Sequence, residues 1–301
     1  MEYPHTPVLL ESVLRYLNPQ PGENYIDGTA DGGGHSIAIL KRIQPGGTLL
    51  AIEWDEELFQ QLEQRLKKEC SRFNKNYELC RSSYTELDQC VRSLRFGPVN
   101  GVLFDFGLSS FHLEAARRGF SFQKDEPLDM RYSRSLGQTA ADLVMQSSPE
   151  ELEAILKNFG QERFYYAIAR EIVRTRRVHP IHRTKDLVAI IRQAILPRYR
   201  HSRLHFATRT FQALRIAVNH EIENITSGLE AAVRVLAPRG RIVTIAFHSL
   251  EDAAVKNFFR QPDLRQRFTP LVAKPVRPDR EEVIRNARSR SARLRAFQKT
   301  S

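Results

Sequence analysis

Apolar residues in the first hundred positions follow two alternating rhythms. Short dense runs at 24–27, 48–53, 77–80 and 101–106 predict strands. Between them Leu58, Leu62 and Leu66 recur at i, i+4, i+8, and Leu87, Val91 and Leu94 recur at helical spacing, as helices packed on a sheet would. Pro45-Gly46-Gly47 and Phe96-Gly97-Pro98 read as helix stops. Strand and helix in alternation predict a parallel, doubly wound α/β sheet. The pattern resumes only much later. A long helix is predicted through Phe211, Leu214, Val218, Ile222, Ile225 and Leu229, ending near Pro238-Arg239-Gly240, with a strand at 241–247. A strand-to-strand crossover takes about 30 residues, and well over a hundred separate Phe106 from Arg241. A small domain must be inserted there, and its patterns at 139–145, 149–159, 162–174 and 184–196 are helical. The expected organisation is a discontinuous core of 1–110 and 209–301 around an insert of 111–208.

The loop at 27–35, DGTADGGGH, joins the first strand to a helical pattern. A glycine turn feeding a helix N-terminus presents backbone N–H groups to a ligand and suits a nucleotide-like cofactor. The dinucleotide pattern G-x-G-x-x-G fails: from Gly32, Gly34 fits but Ile37 stands where the third glycine belongs. No Gly-Lys-Ser/Thr exists for a phosphate-binding loop of the Walker type. Glu53, about 20 positions on at the end of the second apolar run, can accept both hydroxyls of a ribose. Loop plus ribose acid, without a pyrophosphate fingerprint, fits S-adenosylmethionine better than NAD. On these residues alone a methyltransferase and other Rossmann-like proteins both stay open.

Charge adds a partner. The 301 residues carry a formal net charge of +11, which favours an anionic partner, nucleic acid first and membrane surface second. The excess is concentrated: residues 160–209 hold twelve Arg/Lys against Glu162, Glu171 and Asp186, and residues 285–301 hold six Arg/Lys and no acid. One such run is ordinarily a solvated face; two with arginine predominating point to phosphate contacts. Tyr165, Tyr166 and Tyr199 lie among the insert's arginines, where they could stack on bases or simply pack helices. Cys70, Cys80 and Cys90 form no C-x-x-C pair and are odd in number, so neither a disulfide framework nor a zinc site is expected. His179/His182 and His201/His205 have ligand-like spacing without a third ligand and read as surface polar groups, so no metal is expected. No apolar run suggests a membrane span or signal peptide. The expectation is a soluble protein of a reducing compartment, the cytoplasm.

Further short motifs follow in order. The fourth strand ends Leu103-Phe104-Asp105-Phe106-Gly107-Leu108-Ser109-Ser110, placing Asp105 at the strand edge where open α/β sheets bind ligands. Then come Arg118-Gly119-Phe120-Ser121-Phe122, Pro127-Leu128-Asp129-Met130-Arg131, Gly160-Gln161-Glu162-Arg163-Phe164, Thr208-Arg209-Thr210-Phe211-Gln212-Ala213-Leu214-Arg215-Ile216, Phe247-His248-Ser249-Leu250-Glu251-Asp252, and a basic tail from Asn286 to Arg295. With His5-Thr6-Pro7-Val8-Leu9-Leu10 at the start, this series resembles the bacterial 16S ribosomal RNA (cytosine-N4) methyltransferase family, also called MraW or RsmH, over nearly the whole chain.

The resemblance implies a class I (Rossmann-like) S-adenosylmethionine-dependent methyltransferase core with an inserted helical domain. It implies methyl transfer to N4 of a cytidine in the decoding region of 16S rRNA, with that RNA, within the small ribosomal subunit, as partner. Carried over by position, the cofactor contacts fall on Gly33, Gly34, His35, Glu53, Tyr84, Asp105 and His112. The family usually shows Asp at Glu53, Phe at Tyr84 and Gln at His112, and its loop commonly reads DGT, an apolar residue, then Gly-x-Gly-Gly-His. Here Ala30 and Asp31 fill the fourth and fifth places. Asp31 gives up glycine's ease at positive φ and sets a carboxylate near the cofactor's own, a repulsion of about 1 kcal/mol at partly exposed separations; the methionine amine is its alternative partner.

Cytosine N4 is a poor nucleophile, so a group must accept its N–H protons while it is aligned with the methyl donor. Asp105 is the candidate catalytic acceptor, its alternative role being cofactor contact alone. His248 could receive the released proton or could merely end its strand, and the structural role is the expected one. The target base must be unstacked into a pocket. The competing functional class is an RNA-binding ribosome-assembly factor with weakened catalysis, motivated by Asp31, Glu53 and His112.

Overall fold

The structure is a computed structural model and describes residues 7–70, 76–199 and 204–300. In chain order the elements are α1 (Leu10–Leu17), β1 (Tyr25–Asp27), α2 (Gly34–Arg42), β2 (Leu49–Glu53), α3 (Glu56–Glu69), β3 (Tyr77–Arg81), α4 (Leu87–Ser93) and β4 (Val99–Phe106). Helices α5 (Ser110–Glu114), α6 (Ala140–Gln146), α7 (Pro149–Asn158), α8 (Tyr165–Arg176), α9 (Thr184–Ala194) and α10 (Thr208–Asn219) follow. The chain ends with α11 (Glu221–Val235), β5 (Leu236–Ala246), α12 (Ser249–Phe258), α13 (Pro262–Arg267), β6 (Phe268–Pro270), α14 (Arg280–Arg285) and β7 (Arg293–Lys299). The chain divides into two units, Met1–Ser109 with Ile222–Ser301, and Ser110–Glu221.

The first unit is built on a seven-stranded sheet in the order β3-β2-β1-β4-β5-β7-β6. β1 to β5 run parallel; β7 runs antiparallel to both β5 and β6. Every residue of β1 and β2 is buried, as expected for parallel strands covered on both faces. Successive residues serve opposite faces. Tyr25, Leu49, Leu103 and Val243 pack with Leu40 and Leu62 on one side, and Ile26, Leu50, Phe104 and Ile242 pack with Leu229 on the other. Leu58, Leu62 and Leu66 of α3 are all buried, as their spacing predicted, and the Asp55 side chain starts that helix by accepting from the N–H groups of Glu57 and Leu58.

Three expectations are corrected within this unit. The predicted strand at 241–247 begins earlier, at Leu236, because Leu236 pairs with Val99 before the register shifts between Val99 and Gly101. The basic tail holds a core strand: Leu294, Ala296 and Phe297 of β7 are buried, and Arg295 forks onto Asp252 at 2.6 and 3.1 Å, so part of that charge is internal. Cys80 and Cys90 form a disulfide, with Cα atoms 6.4 Å apart. The odd cysteine count concealed this pair, because the third cysteine, Cys70, is buried by itself on α3's end.

The second unit is helical. α8 packs on α7 and α9, and α10 packs on α6 and α7. Reciprocal capping boxes start α6 (Thr139 with Asp142) and α7 (Ser148 with Glu151, Pro149 following). The single long helix predicted through 211–229 is two helices, broken at His220, which takes a left-handed φ of 51°. Asn219, fully buried, accepts from the Tyr132 amide at 2.7 Å and donates to the carbonyls of Met130 and Arg215 at 2.7 and 2.9 Å. These bonds tie the end of α10 to the chain at 130–132. The division therefore falls after Glu221, where the sequence reading had returned to the core at 209.

A candidate cofactor site at the ends of the parallel strands

Parallel strands ending together bring Asp27 (β1), Glu53 (β2) and Asp105 (β4) to one edge of the first unit, all three buried. The glycine loop between β1 and α2 is fastened there by side chains. Asp27 accepts from the Ser36 hydroxyl at 2.6 Å and from the Thr29 amide at 3.3 Å. The Thr29 hydroxyl accepts from the Asp105 amide at 2.6 Å, joining the loop to β4. The Arg65 guanidinium donates to the Gly32 carbonyl. Gly33 takes φ 78° as α2 begins, a conformation that favours glycine, and an added Cβ would lie 2.9 Å from Leu62 Cδ1 and push that side chain aside. Asp31 takes φ 45°. The sequence expectation that this position favours positive φ is met, by a residue that tolerates it less well than glycine.

Glu53 uses both oxygens to hold backbone. Oε1 accepts from the Asp55 amide at 2.7 Å and Oε2 from the Asp31 amide at 2.9 Å. An ionised carboxylate has about four acceptor positions, so two remain for hydroxyls of a ligand. Its extra methylene relative to Asp is thus absorbed by contacts to both flanking loops. Burial pushes Glu53 up to about 8, against the lowering effect of the Asp55 and Asp31 amides. Burial, then the charges of Glu53, Asp105, Asp27 and Asp55, hold Asp31 well above the usual carboxylate range. Burial also raises Asp27, against its hydrogen bond from Ser36. Five carboxyl groups around one glycine loop make a site that favours a cation and disfavours a pyrophosphate.

His35 and Asp105 complete this edge. His35, in the first turn of α2, is buried with Nε2 3.5 Å from Asp105 Oδ2. Neither ring nitrogen nor Asp105 Oδ1 has a hydrogen-bond partner among the described residues. Buried polar atoms without partners are uncommon in folded chains, and these belong to two residues the sequence had singled out. Tyr84, in the turn after β3, sets its ring 5.7 Å from Phe104 and 5.8 Å from Phe106. Gly228 of α11 permits that placement, since a Cβ there would lie 2.4 Å from the Tyr84 ring. Gly33, Gly34, His35, Glu53, Tyr84 and Asp105 thus all belong to the first unit. His112 belongs to the second, buried with its ring 5.0 Å from both Phe120 and Tyr132.

His248 caps α12: its Nδ1 accepts from the Glu251 amide at 3.3 Å while Glu251 accepts from the Phe247 and His248 amides. This is the strand-ending role expected of it. Sequence reasoning missed Asp27 and Ser36. An acid closing an apolar strand directly before a glycine turn was the available signal. Of the paired histidines, His179 and His182 are exposed; His201 lies outside the described residues, as do His5 and Thr6 of the first motif. Among the described residues no helix is long and apolar enough to cross a membrane.

Comparison with known proteins gives a consistent result. The MraW methylase family model matches residues 2–300. The chain is 43% identical over 313 aligned positions to the "Ribosomal RNA small subunit methyltransferase H" of Pelobacter propionicus, covering 99% of both proteins. It is 44% identical over 310 positions to the protein of that name from Thermomicrobium roseum, covering 98% of this chain and 93% of that one. It is 41% identical over 313 positions to the one from Trichlorobacter lovleyi, covering 99% of each.

Proposed function

Since the chain belongs to the MraW methylase family, we propose that it is a class I, S-adenosylmethionine-dependent methyltransferase acting on N4 of a cytidine in the decoding region of 16S rRNA. The observation that carries the reading is the cluster of buried carboxyls around a glycine turn, with Asp105 Oδ1 and the His35 nitrogens lacking hydrogen-bond partners among the described residues. S-adenosylmethionine supplies a methyl group on a cationic sulfonium and also carries an ammonium group, so an acidic edge suits it where a dinucleotide's phosphates would be repelled.

Each residue then has a task. Glu53 accepts ribose hydroxyls with the lone pairs its two amide contacts leave over. Tyr84 offers a ring fixed against Phe104 and Phe106 as one wall for adenine. Gly33, Gly34 and the first turn of α2 receive the methionine end, with His35 beside them. Asp105 accepts an N–H of the cytosine amino group as that nitrogen becomes pyramidal, and takes the proton the product must lose. The insert supplies contacts to RNA, and the substrate is the small subunit or its rRNA.

The test is methyl transfer from labelled S-adenosylmethionine to small ribosomal subunits lacking the modification, followed by nucleoside analysis. N4-methylcytidine in the decoding region is the expected product. Subunit binding without transfer would replace this reading with the assembly-factor one, and methylation at a different atom would overturn the chemistry assigned to Asp105.

A further inference from the structure

The insert contains a cavity of about 300 Å³. That is the lower end of the ~300–1,000 Å³ range of small-ligand sites, a size for one nucleotide and not for a duplex. Its walls include Phe164, Tyr199, His205 and Phe206 as ring faces, and Arg163 and Arg209 as cations. All six belong to the second unit. The rings already form stacks. His205 lies 4.4 Å from Phe122 at an interplanar angle of 7° and 4.3 Å from Phe206 at 28°. Tyr199 lies 5.0 Å from Phe164 without stacking on it, the two rings being inclined at 56°. His205 Nδ1 accepts from the Ala207 amide at 3.2 Å, so a neutral ring carries its proton on Nε2 and has a donor left.

The arginines are what distinguish this cavity from an ordinary aromatic cluster. Four guanidinium groups elsewhere in the insert are neutralised by carboxylates. Arg174 is paired with Glu171, Arg183 with Asp125, Arg215 with Glu221 and Arg131 with Asp129. Arg163 and Arg209 meet no carboxylate among the described residues. Arg163 lies 5.1 Å over the Tyr199 ring, and Arg209 donates only to the Gln161 carbonyl. The one acid in the lining, Glu162, is buried and accepts from the Phe164 amide at 3.0 Å. Ring faces beside arginines whose charge no described carboxylate neutralises are the recognition chemistry of single-stranded RNA, in which bases stack and phosphates meet guanidinium forks.

We propose that this cavity is a nucleotide subsite: it holds one unstacked base of the RNA substrate against the rings of Tyr199 and Phe206, with an adjoining phosphate on Arg163 and Arg209. The inference rests on the reading of the substrate as RNA.

The test is fluorescence anisotropy with a labelled single-stranded oligoribonucleotide of roughly ten nucleotides, alongside transfer to small subunits. Tyr199→Ala is expected to weaken oligonucleotide binding about five- to hundredfold, and Tyr199→Phe to restore it. Arg163→Gln combined with Arg209→Gln should lower the salt slope of log affinity by about 0.7, the contribution of one phosphate on a single strand. In transfer assays both lesions should raise KM for the subunit and leave kcat and S-adenosylmethionine affinity unchanged. Folded variants with wild-type affinity and salt slope would overturn the proposal. Should Tyr199→Ala fail to fold, photocrosslinking of the wild-type protein to the oligonucleotide carrying 4-thiouridine decides: adducts on Tyr199 or Phe206 support the subsite, and adducts only elsewhere sink it. Wild-type protein that methylates subunits while these lesions change nothing removes the subsite alone. Wild-type protein that transfers no methyl removes the functional reading on which it rests.

Discussion

Glu53 gives the most quantitative prediction. Its carboxyl is raised from an ordinary 4.5 to about 8 by burial, so at neutral pH the free protein holds a proton there. Ribose hydroxyls and a cationic ligand both favour the ionised form, so binding must expel that proton. Apparent affinity should therefore tighten about tenfold per pH unit up to about 8 and then level off, equivalent to about 1.4 kcal/mol per unit. Near pH 7 about 0.9 proton should be released per ligand bound. Stability of the free protein runs the opposite way. A carboxyl raised on folding contributes stability that is fully present below 4.5 and is lost as pH rises to about 8. Calorimetric titration with S-adenosylhomocysteine, in two buffers of different ionisation heat, measures the released protons without turnover. Glu53→Gln is the control. It strands either the Asp31 or the Asp55 amide, a loss of about 1–3 kcal/mol, but removes the titration, while the ligand's own amine, with pKa about 7.7–8.0, still titrates. Equal proton release in wild type and Glu53→Gln would refute the argument.

Other consequences are separable. Asp31→Asn keeps a residue tolerant of φ 45° and removes the titratable carboxyl beside Glu53. The pH dependence of cofactor affinity should become shallower, and a weaker affinity at every pH in the same titration would show that Asp31 pairs with the methionine amine instead. Asp105→Asn should lower methyl transfer by about 10²–10⁴-fold while cofactor binding persists; lost binding with the surviving turnover of saturated enzyme would make Asp105 a cofactor contact only. The Cys80–Cys90 bridge closes a loop of sequence separation 10, worth about 3 kcal/mol of unfolded-state entropy. Cys80→Ser should lower urea stability by that amount in oxidising buffer and by nothing under thiol reductant.

The parallel core was legible because its physics is periodic. Leu58, Leu62 and Leu66 had to face one direction, and strands too apolar to alternate had to lie covered on both faces. Helix starts in the insert were equally readable, since Thr139 and Ser148 followed by an acid three residues on satisfy amides locally. What failed to show was whatever depends on a distant partner. β7 looked like a cationic tail because its arginines stand out in a linear chain, and only Asp252 on α12 makes Arg295 an internal charge. The break at His220 carries no proline or glycine, and it is Asn219, held to Met130 and Tyr132, that ends the helix there.

The same distinction separates what the site residues reveal. Glycine, histidine and acid at the ends of apolar runs point to a ligand, which is why spacing and family pattern single out Gly33, His35, Glu53 and Asp105 as candidates. Arg163 and Arg209 could not be found that way. In the sequence they are two among twelve cations in a run with three acids, and nothing local separates them from Arg174 or Arg183. The separation comes from subtraction in three dimensions: pair each guanidinium with the carboxylate that neutralises it, and Arg163 and Arg209 stand beside an aromatic cavity with no such partner among the described residues. A count of basic residues measures attraction to any polyanion, whereas those without a carboxylate partner give that attraction an address. Variants of Arg174 or Arg183 should accordingly change stability more than RNA affinity, and variants of Arg163 or Arg209 the reverse.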